Sequence, residues 1–208
     1  MAHTIQPANL SVYSPIETDS LNTGRLEQTT SEMPIILNLV LFKIVWAMSL
    51  AGVVIGYAWL GAAGLVAFMT WHAKTVRTAK ADFYLAGVAV LVGLFLDTLY
   101  LQSGLIIYQG QTPWSGMAPV WILALWANFA LTMNGCMAWL QQRKWLAALL
   151  SFIFGPLGYY GGIKLGTATI NDNQWLLFFI IGVAWAVAVP LLLTLAARFA
   201  NRFHPKTD

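Results

Sequence analysis

The chain has 208 residues, of which 59% are hydrophobic and only 9% are charged, and its net charge is +3. Soluble domains carry roughly 25% charged residues, so this composition argues against a water-soluble domain. Lysines and arginines lie at the ends of apolar segments, where membrane topology explains them, so the basic balance does not indicate nucleic-acid binding.

The single cysteine, Cys136, excludes an intrachain disulfide. Without a phosphate-binding loop, a dinucleotide fingerprint or a histidine cluster, we predict no metal and no cofactor.

The apolar segments predict an all-α, polytopic membrane protein with three parts. Residues 1–33 are polar, without sustained periodicity, and are predicted to form a disordered or loosely docked tail. A transmembrane domain is predicted over residues 34–200, followed by a basic tail over residues 201–208. Within the domain we predict a bundle of six transmembrane helices, over residues 35–54, 58–74, 82–102, 117–141, 145–165 and 175–199. One long tilted helix is the alternative for the first two.

The distribution of basic residues predicts the orientation of these helices. Loops and ends on one side of the predicted bundle carry nine lysines and arginines, and those on the other side carry none. Because Lys and Arg near helix ends are retained in the cytoplasm, this alternation predicts that both termini are cytoplasmic. Four tryptophans then fall near the two membrane interfaces, where amphipathic rings prefer to lie: Trp59, Trp114, Trp145 and Trp175.

Asp97 is an acid within the third apolar segment. It lies roughly 22 Å from the cytoplasmic start of that helix, in the outer part of the membrane, and such residues usually face a bundle interior. Tyr100 follows one turn later on the same face. Lys164 lies near the outer end of the fifth helix, so an Asp97–Lys164 pair is our first hypothesis for a polar centre. The alternatives are a purely structural hydrogen bond for Asp97 and a Lys164 that extends alone to the interface.

A second set of polar residues lies in the first and fourth segments. Lys43 is eight residues into the first predicted helix, and Asn134 lies at a comparable depth in the fourth. They predict either a second polar layer facing the inner leaflet or, for Lys43, extension to the interface. Asn128 and Thr132 share one face at helical spacing and could line a site or hydrogen-bond between helices.

The fifth segment contains the most distinctive stretch, which begins at Gly155-Pro156. Proline inside a helix removes a backbone hydrogen bond and kinks the helix, and interrupted helices often line binding sites in transporters. Gly158, Gly162 and Gly166 recur every four residues, a small-residue stripe that could bring a partner helix or a second copy close. Two tyrosines inside the stretch could bind a ligand headgroup or anchor the interface: Tyr159 and Tyr160.

Three stretches together resemble a bacterial inner-membrane family known as domain of unknown function 2878. They are Leu125–Asn134 with Trp139 after it, Gly155–Gly166, and Gly93–Asp97. The resemblance covers about residues 35–200. It implies a small multi-pass protein of the bacterial inner membrane with no established activity and a possible connection to lipid. A second resemblance, to the membrane lysoplasmalogenases, lacks the Gly–Asp pair of that family, because Leu96 precedes Asp97.

These observations leave three functional hypotheses open. The first is a protein that binds a lipid-like amphiphile at an intramembrane polar site, because polar groups among apolar walls suit a molecule with a headgroup and a chain. The second is a lipid-modifying hydrolase that uses Asp97 as general acid or base. The third is a non-catalytic scaffold or partner subunit. The candidate ligand-binding residues are Lys43, Asp97, Tyr100, Asn128, Thr132, Asn134, Tyr159, Tyr160 and Lys164.

Overall fold

The computed structural model of the protein describes residues 34–110, 115–171 and 173–203. The predicted tail over residues 1–33 and most of the predicted tail over residues 201–208 lie outside these ranges. The described residues form six α-helices, two short strands and one turn of 3-10 helix at Ala138–Leu140. In chain order the helices are α1 Ile35–Val54, α2 Leu60–Thr75, α3 Ala79–Gln102, α4 Val120–Ala130, α5 Lys144–Lys164 and α6 Gln174–Phe203. The strands are β1 Ile106–Tyr108 and β2 Ala168–Ile170.

Four of the helices, α1, α3, α5 and α6, are long and apolar enough to cross a membrane, judged by length and composition. Large apolar side chains on these helices are exposed, including Ile36 at 76% and Leu91 at 65%. Such surfaces are unusual for soluble proteins and are the expected outer face of a membrane bundle. The helical fold is therefore as predicted. Helix α2 has 16 residues and α4 has 11, which is shorter than the ~20 residues that one crossing needs.

The predicted helix over residues 117–141 is wrong in its second half, because α4 ends at Ala130 and turns follow. The side-chain amide of Asn38, on α1, satisfies the backbone at this break. Its Nδ2 donates to the carbonyl of Leu131 and its Oδ1 accepts from the amide of Cys136, each at 3.1 Å. Gln141 Nε2 donates to the Met133 carbonyl at 2.9 Å. Non-helical backbone is tolerated inside a membrane bundle only where such partners exist.

A short β-ribbon occupies two segments that the sequence predicts to be plain loops. Strands β1 and β2 pair antiparallel, with Tyr108 opposite Ala168. A glycine with positive φ precedes each strand, Gly104 at 72° and Gly166 at 87°, and turns each chain out of its helix. The ribbon joins the ends of α3 and α5 and directs Tyr108, which is buried, toward the helices.

The opposite end of the bundle brings the basic segments together. Lys80, at the start of α3, lies over the ring of Phe203 at 5.0 Å, and Tyr84 stacks on the same ring at 5.1 Å. Phe203 ends α6, which continues past residue 199, where the predicted helix stops. The start of α3 and the end of α6 therefore lie side by side, away from the β-ribbon.

Candidate functional site

A cavity of about 740 Å³ lies between α1, α4, α5 and α6 and is lined mainly by apolar side chains. This volume is within the range of small-molecule sites, roughly 300–1,000 Å³. One face of α1 contributes Leu39, Phe42, Trp46 and Leu50, which recur at three- and four-residue spacing. A face of α5 that includes Leu150, Phe154 and Leu157 lies across from them.

The cavity opens sideways between α1 and α5. Leu39, Phe154 and Leu157 line it, yet they are 45%, 63% and 52% exposed. Both helices border the space, and no extensive contact joins them. An apolar opening on the apolar side of a bundle gives access to a molecule that is itself dissolved in a bilayer.

Asp97 lies behind the cavity wall, fully buried, and accepts three hydrogen bonds. Tyr108 Oη and Tyr159 Oη each donate to Oδ1 at 2.6 Å. Trp126 Nε1 donates to Oδ2 at 2.7 Å. All three aromatic donors line the cavity. The carboxyl group therefore does not itself face the cavity but fixes the orientation of three rings that do.

Three different elements bring these donors to Asp97. On α3, Gly93 lies one turn before Asp97, and a Cβ there would overlap the indole ring of Trp126. The absence of that Cβ lets the ring of Trp126 approach α3 closely enough to reach Asp97. The β-ribbon supplies Tyr108, and burial raises the pKa of Tyr108 well above its usual value, so its hydroxyl keeps the proton that it donates. Tyr159 comes from α5.

Two buried polar atoms next to this cluster have no hydrogen-bond partner among the described residues. One is Tyr100 Oη, whose ring packs edge-on against Tyr159 with centroids 6.2 Å apart. The other is Trp185 Nε1 on α6, whose ring is perpendicular to that of Tyr159, also at 6.2 Å. Trp185 lines the cavity, whereas Tyr100 lies behind it. Trp185 was not predicted as a site residue, because a tryptophan in an apolar helix does not differ from a packing residue in sequence.

The predicted Asp97–Lys164 pair is wrong. Lys164 is exposed, and its Nζ lies over the ring of Tyr160 at 5.4 Å. Together they border a separate outer groove between α5 and α6. Tyr159 contacts Asp97, and Lys164 follows five residues later, about 140° further around the helix axis. The two side chains therefore leave α5 in different directions.

A second buried carboxylate, Asp82, organises the end of the bundle away from the β-ribbon. His72 Nε2, at the end of α2, lies 2.8 Å from Asp82 Oδ2, and Thr78 Oγ1 donates to the same oxygen at 2.9 Å. Asn134 Nδ2 donates to Asp82 Oδ1 at 2.7 Å, and Gln141 Nε2 donates to Asn134 Oδ1 at 2.8 Å. This network fastens the turns after α4 to α2 and α3.

The remaining polar candidates from the sequence are dispersed. Asn128 Nδ2 donates to the carbonyl of Phe42 at 3.0 Å, so it joins α4 to α1. Thr132 lines the cavity and donates to the carbonyl of Phe129 at 2.6 Å. Lys43 also lines the cavity, is exposed, and has its Nζ 5.4 Å from the centre of the Trp46 ring. Asn134 belongs to the Asp82 network, so it does not form one polar layer with Lys43.

The glycines in and just after α5 have different neighbours and different structural roles. A Cβ at Gly155 would overlap Trp185, so this glycine, next to Pro156, lets α6 approach closely. Gly158 borders the cavity with nothing within 4 Å of a built Cβ. Gly162 lies against Thr167, and Gly166 ends the helix. The use of the Gly158, Gly162 and Gly166 stripe by a partner helix stays a prediction.

A comparison with known protein families finds a match over most of the chain. The sequence model of the family described as "Protein of unknown function (DUF2878)" matches residues 35–191. This agrees with the resemblance found in the sequence. Comparisons with curated proteins and with solved structures give no match.

Proposed function

We propose that this chain, which belongs to the DUF2878 family of proteins of unknown function, binds a lipid-like amphiphile in the cavity between α1 and α5. The observation that carries the proposal is the combination of a sideways apolar opening with a fixed aromatic–carboxyl cluster in the wall. The chain of the ligand would lie along the apolar faces of α1 and α5. Its polar group would lie beside the rings held by Asp97. Largely apolar pockets with a few placed polar groups are typical of such binding sites.

The geometry supports binding better than hydrolysis by Asp97. Both carboxyl oxygens are occupied by donors, and the side chain is 0% exposed. A general acid or base must reach a substrate proton directly or through one water molecule. Here the rings of Tyr108, Tyr159 and Trp126 lie between Asp97 and the cavity. Asp97 is therefore a positioning residue for these rings in our proposal.

The same proposal includes a six-crossing topology in a bacterial inner membrane with both termini cytoplasmic. It is supported by basic residues that gather at the end of the bundle opposite the β-ribbon, with Lys80 beside Phe203 and with Arg143 two residues after Gln141 of the Asp82 network. In this topology α2 would be a short crossing, and α4 would complete its crossing through the turns up to the 3-10 helix. Cysteine labelling from each side of the membrane, with cysteines placed in the loops of a Cys136→Ser variant, would test it.

Cys136 supplies a test of ligand binding, because the single cysteine of the chain lines the cavity. Its alkylation by an apolar maleimide should be slowed by a long-chain amphiphile if the ligand fills the cavity. The variant Gly158→Leu should slow alkylation by itself, because the added side chain has room to extend into the space.

The matched control is Gly87→Leu on α3, where a built Cβ also meets nothing within 4 Å but which does not border the cavity. Alkylation of this variant should equal that of the unmodified chain. Equal alkylation with and without every amphiphile tested, in a protein that remains folded, would contradict ligand binding in this cavity.

A further inference from the structure

We propose that the polar group of the bound amphiphile is a neutral hydroxyl, which accepts a hydrogen bond from Trp185 and donates one to Tyr159. This inference rests on the proposed function and specifies the class of ligand. It rests on the donors and acceptors that surround Trp185 and Tyr159 in the cavity wall.

The indole N–H of Trp185 is a donor without a hydrogen-bond partner among the described residues. Its Nε1 is buried in the wall of an apolar cavity and lies near the hydroxyl oxygen of Tyr159, but it makes no hydrogen bond within 3.5 Å among the described residues. A buried donor without a partner is unfavourable, so such groups call for an explanation. An oxygen atom of a ligand in the cavity would satisfy it. Trp185 is held in place by its contacts with Gly155 and with the ring of Trp126, whose centroid is 5.0 Å away.

Four hydroxyl groups of the cavity wall already donate a hydrogen bond within the protein. Tyr108 and Tyr159 donate to Asp97, and Thr132 donates to the carbonyl of Phe129. Ser151 donates to the carbonyl of Ala147. A hydroxyl group that donates one hydrogen bond can still accept another through its oxygen, so these groups offer a ligand only acceptor lone pairs. The wall thus presents a buried free donor, at Trp185, next to an acceptor, at Tyr159. A ligand hydroxyl complements both at once.

The charges around the cluster favour a neutral ligand group over an anionic one. Within the described residues no lysine or arginine lies within salt-bridge distance of Asp97, so an anionic group next to this buried acid would be unfavourable. Lys43 is the basic residue of the cavity lining, and aromatic rings separate it from Trp185. The ring centroid of Phe42, next to Lys43, is 6.3 Å from that of Phe129. The ring centroid of Phe129 is in turn 5.4 Å from that of Trp185. A carboxylate or phosphate would therefore be drawn to Lys43 and away from the cluster.

The test uses a photoreactive long-chain alcohol that carries a diazirine, with the full-length protein in lipid nanodiscs. Crosslinking is competed with hexadecanol, with palmitic acid and with hexadecane, and the crosslinked peptides are identified by mass spectrometry. We expect hexadecanol to compete about five- to tenfold better than hexadecane, the ratio that a well-made pair of hydrogen bonds gives.

The variants assign the preference to the indole. Trp185→Phe keeps an aromatic ring and removes only the N–H, and it should reduce the preference for hexadecanol over hexadecane several-fold. Trp71→Phe removes an indole N–H from α2, outside the cavity lining, and should keep the preference. A thermal-unfolding measurement on both variants confirms that they are folded.

Each outcome distinguishes the two proposals. Competition by all three compounds alike, or an unchanged preference in Trp185→Phe, would overturn the hydroxyl assignment while the cavity still binds amphiphiles. Stronger competition by palmitic acid that is lost in Lys43→Gln would overturn it in favour of an anionic ligand. Crosslinks confined to residues outside the cavity would overturn the proposed function itself.

Discussion

The two buried carboxylates of the bundle have similar burial and different neighbours. Asp82 is bound by groups that do not border the cavity, His72, Thr78 and Asn134, and its network holds the turns after α4. Asp97 is bound by three aromatic residues that do border the cavity. Both are fully enclosed, with exposures of 1% and 0%.

Burial of an acid in an apolar helix therefore does not by itself mark a binding site. The decisive property is where the partners of the acid present their other surfaces. By that criterion Asp82 stabilises the fold, and Asp97 shapes the cavity wall. Variants that separate stability from ligand binding should therefore divide the two clusters.

The largest effect is expected for Asp82→Ala. It leaves His72, Thr78 and Asn134 without their acceptor, and removal of one partner from a buried polar pair costs about 3–5 kcal/mol. Unfolding in mixed detergent micelles should show this loss in the free energy of unfolding. Amphiphile bound per folded molecule should stay unchanged, and a loss of binding in the molecules that remain folded would break the distinction between the clusters.

Gly93→Ala should have the next largest effect. The new Cβ overlaps the ring of Trp126 and moves it away from Asp97, and such overpacking costs about 1–3 kcal/mol. Amphiphile binding should fall as well, because the wall loses its shape. Gly87→Ala, on the same helix with open space around its Cβ, is the control and should be neutral or slightly stabilising. Indistinguishable stability of the two variants would argue against a packed Trp126.

Tyr159→Phe tests the Asp97 cluster alone, because it removes one hydrogen bond to Asp97 and keeps the ring. We expect a loss of about 1–2 kcal/mol in the free energy of unfolding and weaker amphiphile binding. Tyr160→Phe is the neighbouring control, since Tyr160 faces the outer groove and is 43% exposed. A larger effect from Tyr160→Phe would place the polar site in that groove.

The smallest effect is expected for Lys164→Gln. Lys164 is exposed and contacts only the face of Tyr160 among the aromatic rings described, so unfolding should change by less than about 0.5 kcal/mol. Exchange of the charges at positions 97 and 164 should recover none of the stability lost by substitution of Asp97 alone. Recovery in the double exchange would restore the pair that the sequence suggested.

Much of the helical fold follows from the sequence, because long apolar runs punctuated by glycine and basic residues predict helices whatever their neighbours do. The end of α4 does not follow in the same way. The apolar run continues past Ala130, and the break is stabilised by Asn38, an amide more than ninety residues earlier in the chain. Contacts of that range leave no local pattern.

The candidate site also contains residues that the sequence predicts and residues that it does not. Asp97 and Tyr159 could be found because an acid and a tyrosine beside a glycine–proline break are unusual in apolar helices. Trp126 and Trp185 could not, since their roles depend on Gly93 and Gly155 opposite them. Asp82 is an acid in the first turn of a helix beside a basic loop, a common position for an acid, so its burial has no local signal in the sequence.

Quantitative mass spectrometry of the lipids that remain bound after purification tests whether the cavity between α1 and α5 holds an amphiphile. The comparison is between the unmodified protein, Gly158→Leu, which fills the cavity, and Gly87→Leu, which adds the same side chain elsewhere on the bundle. The account predicts that the unmodified protein and Gly87→Leu retain the same amphiphile in near-stoichiometric amount and that Gly158→Leu loses it. Equal retention by Gly158→Leu and Gly87→Leu would contradict it.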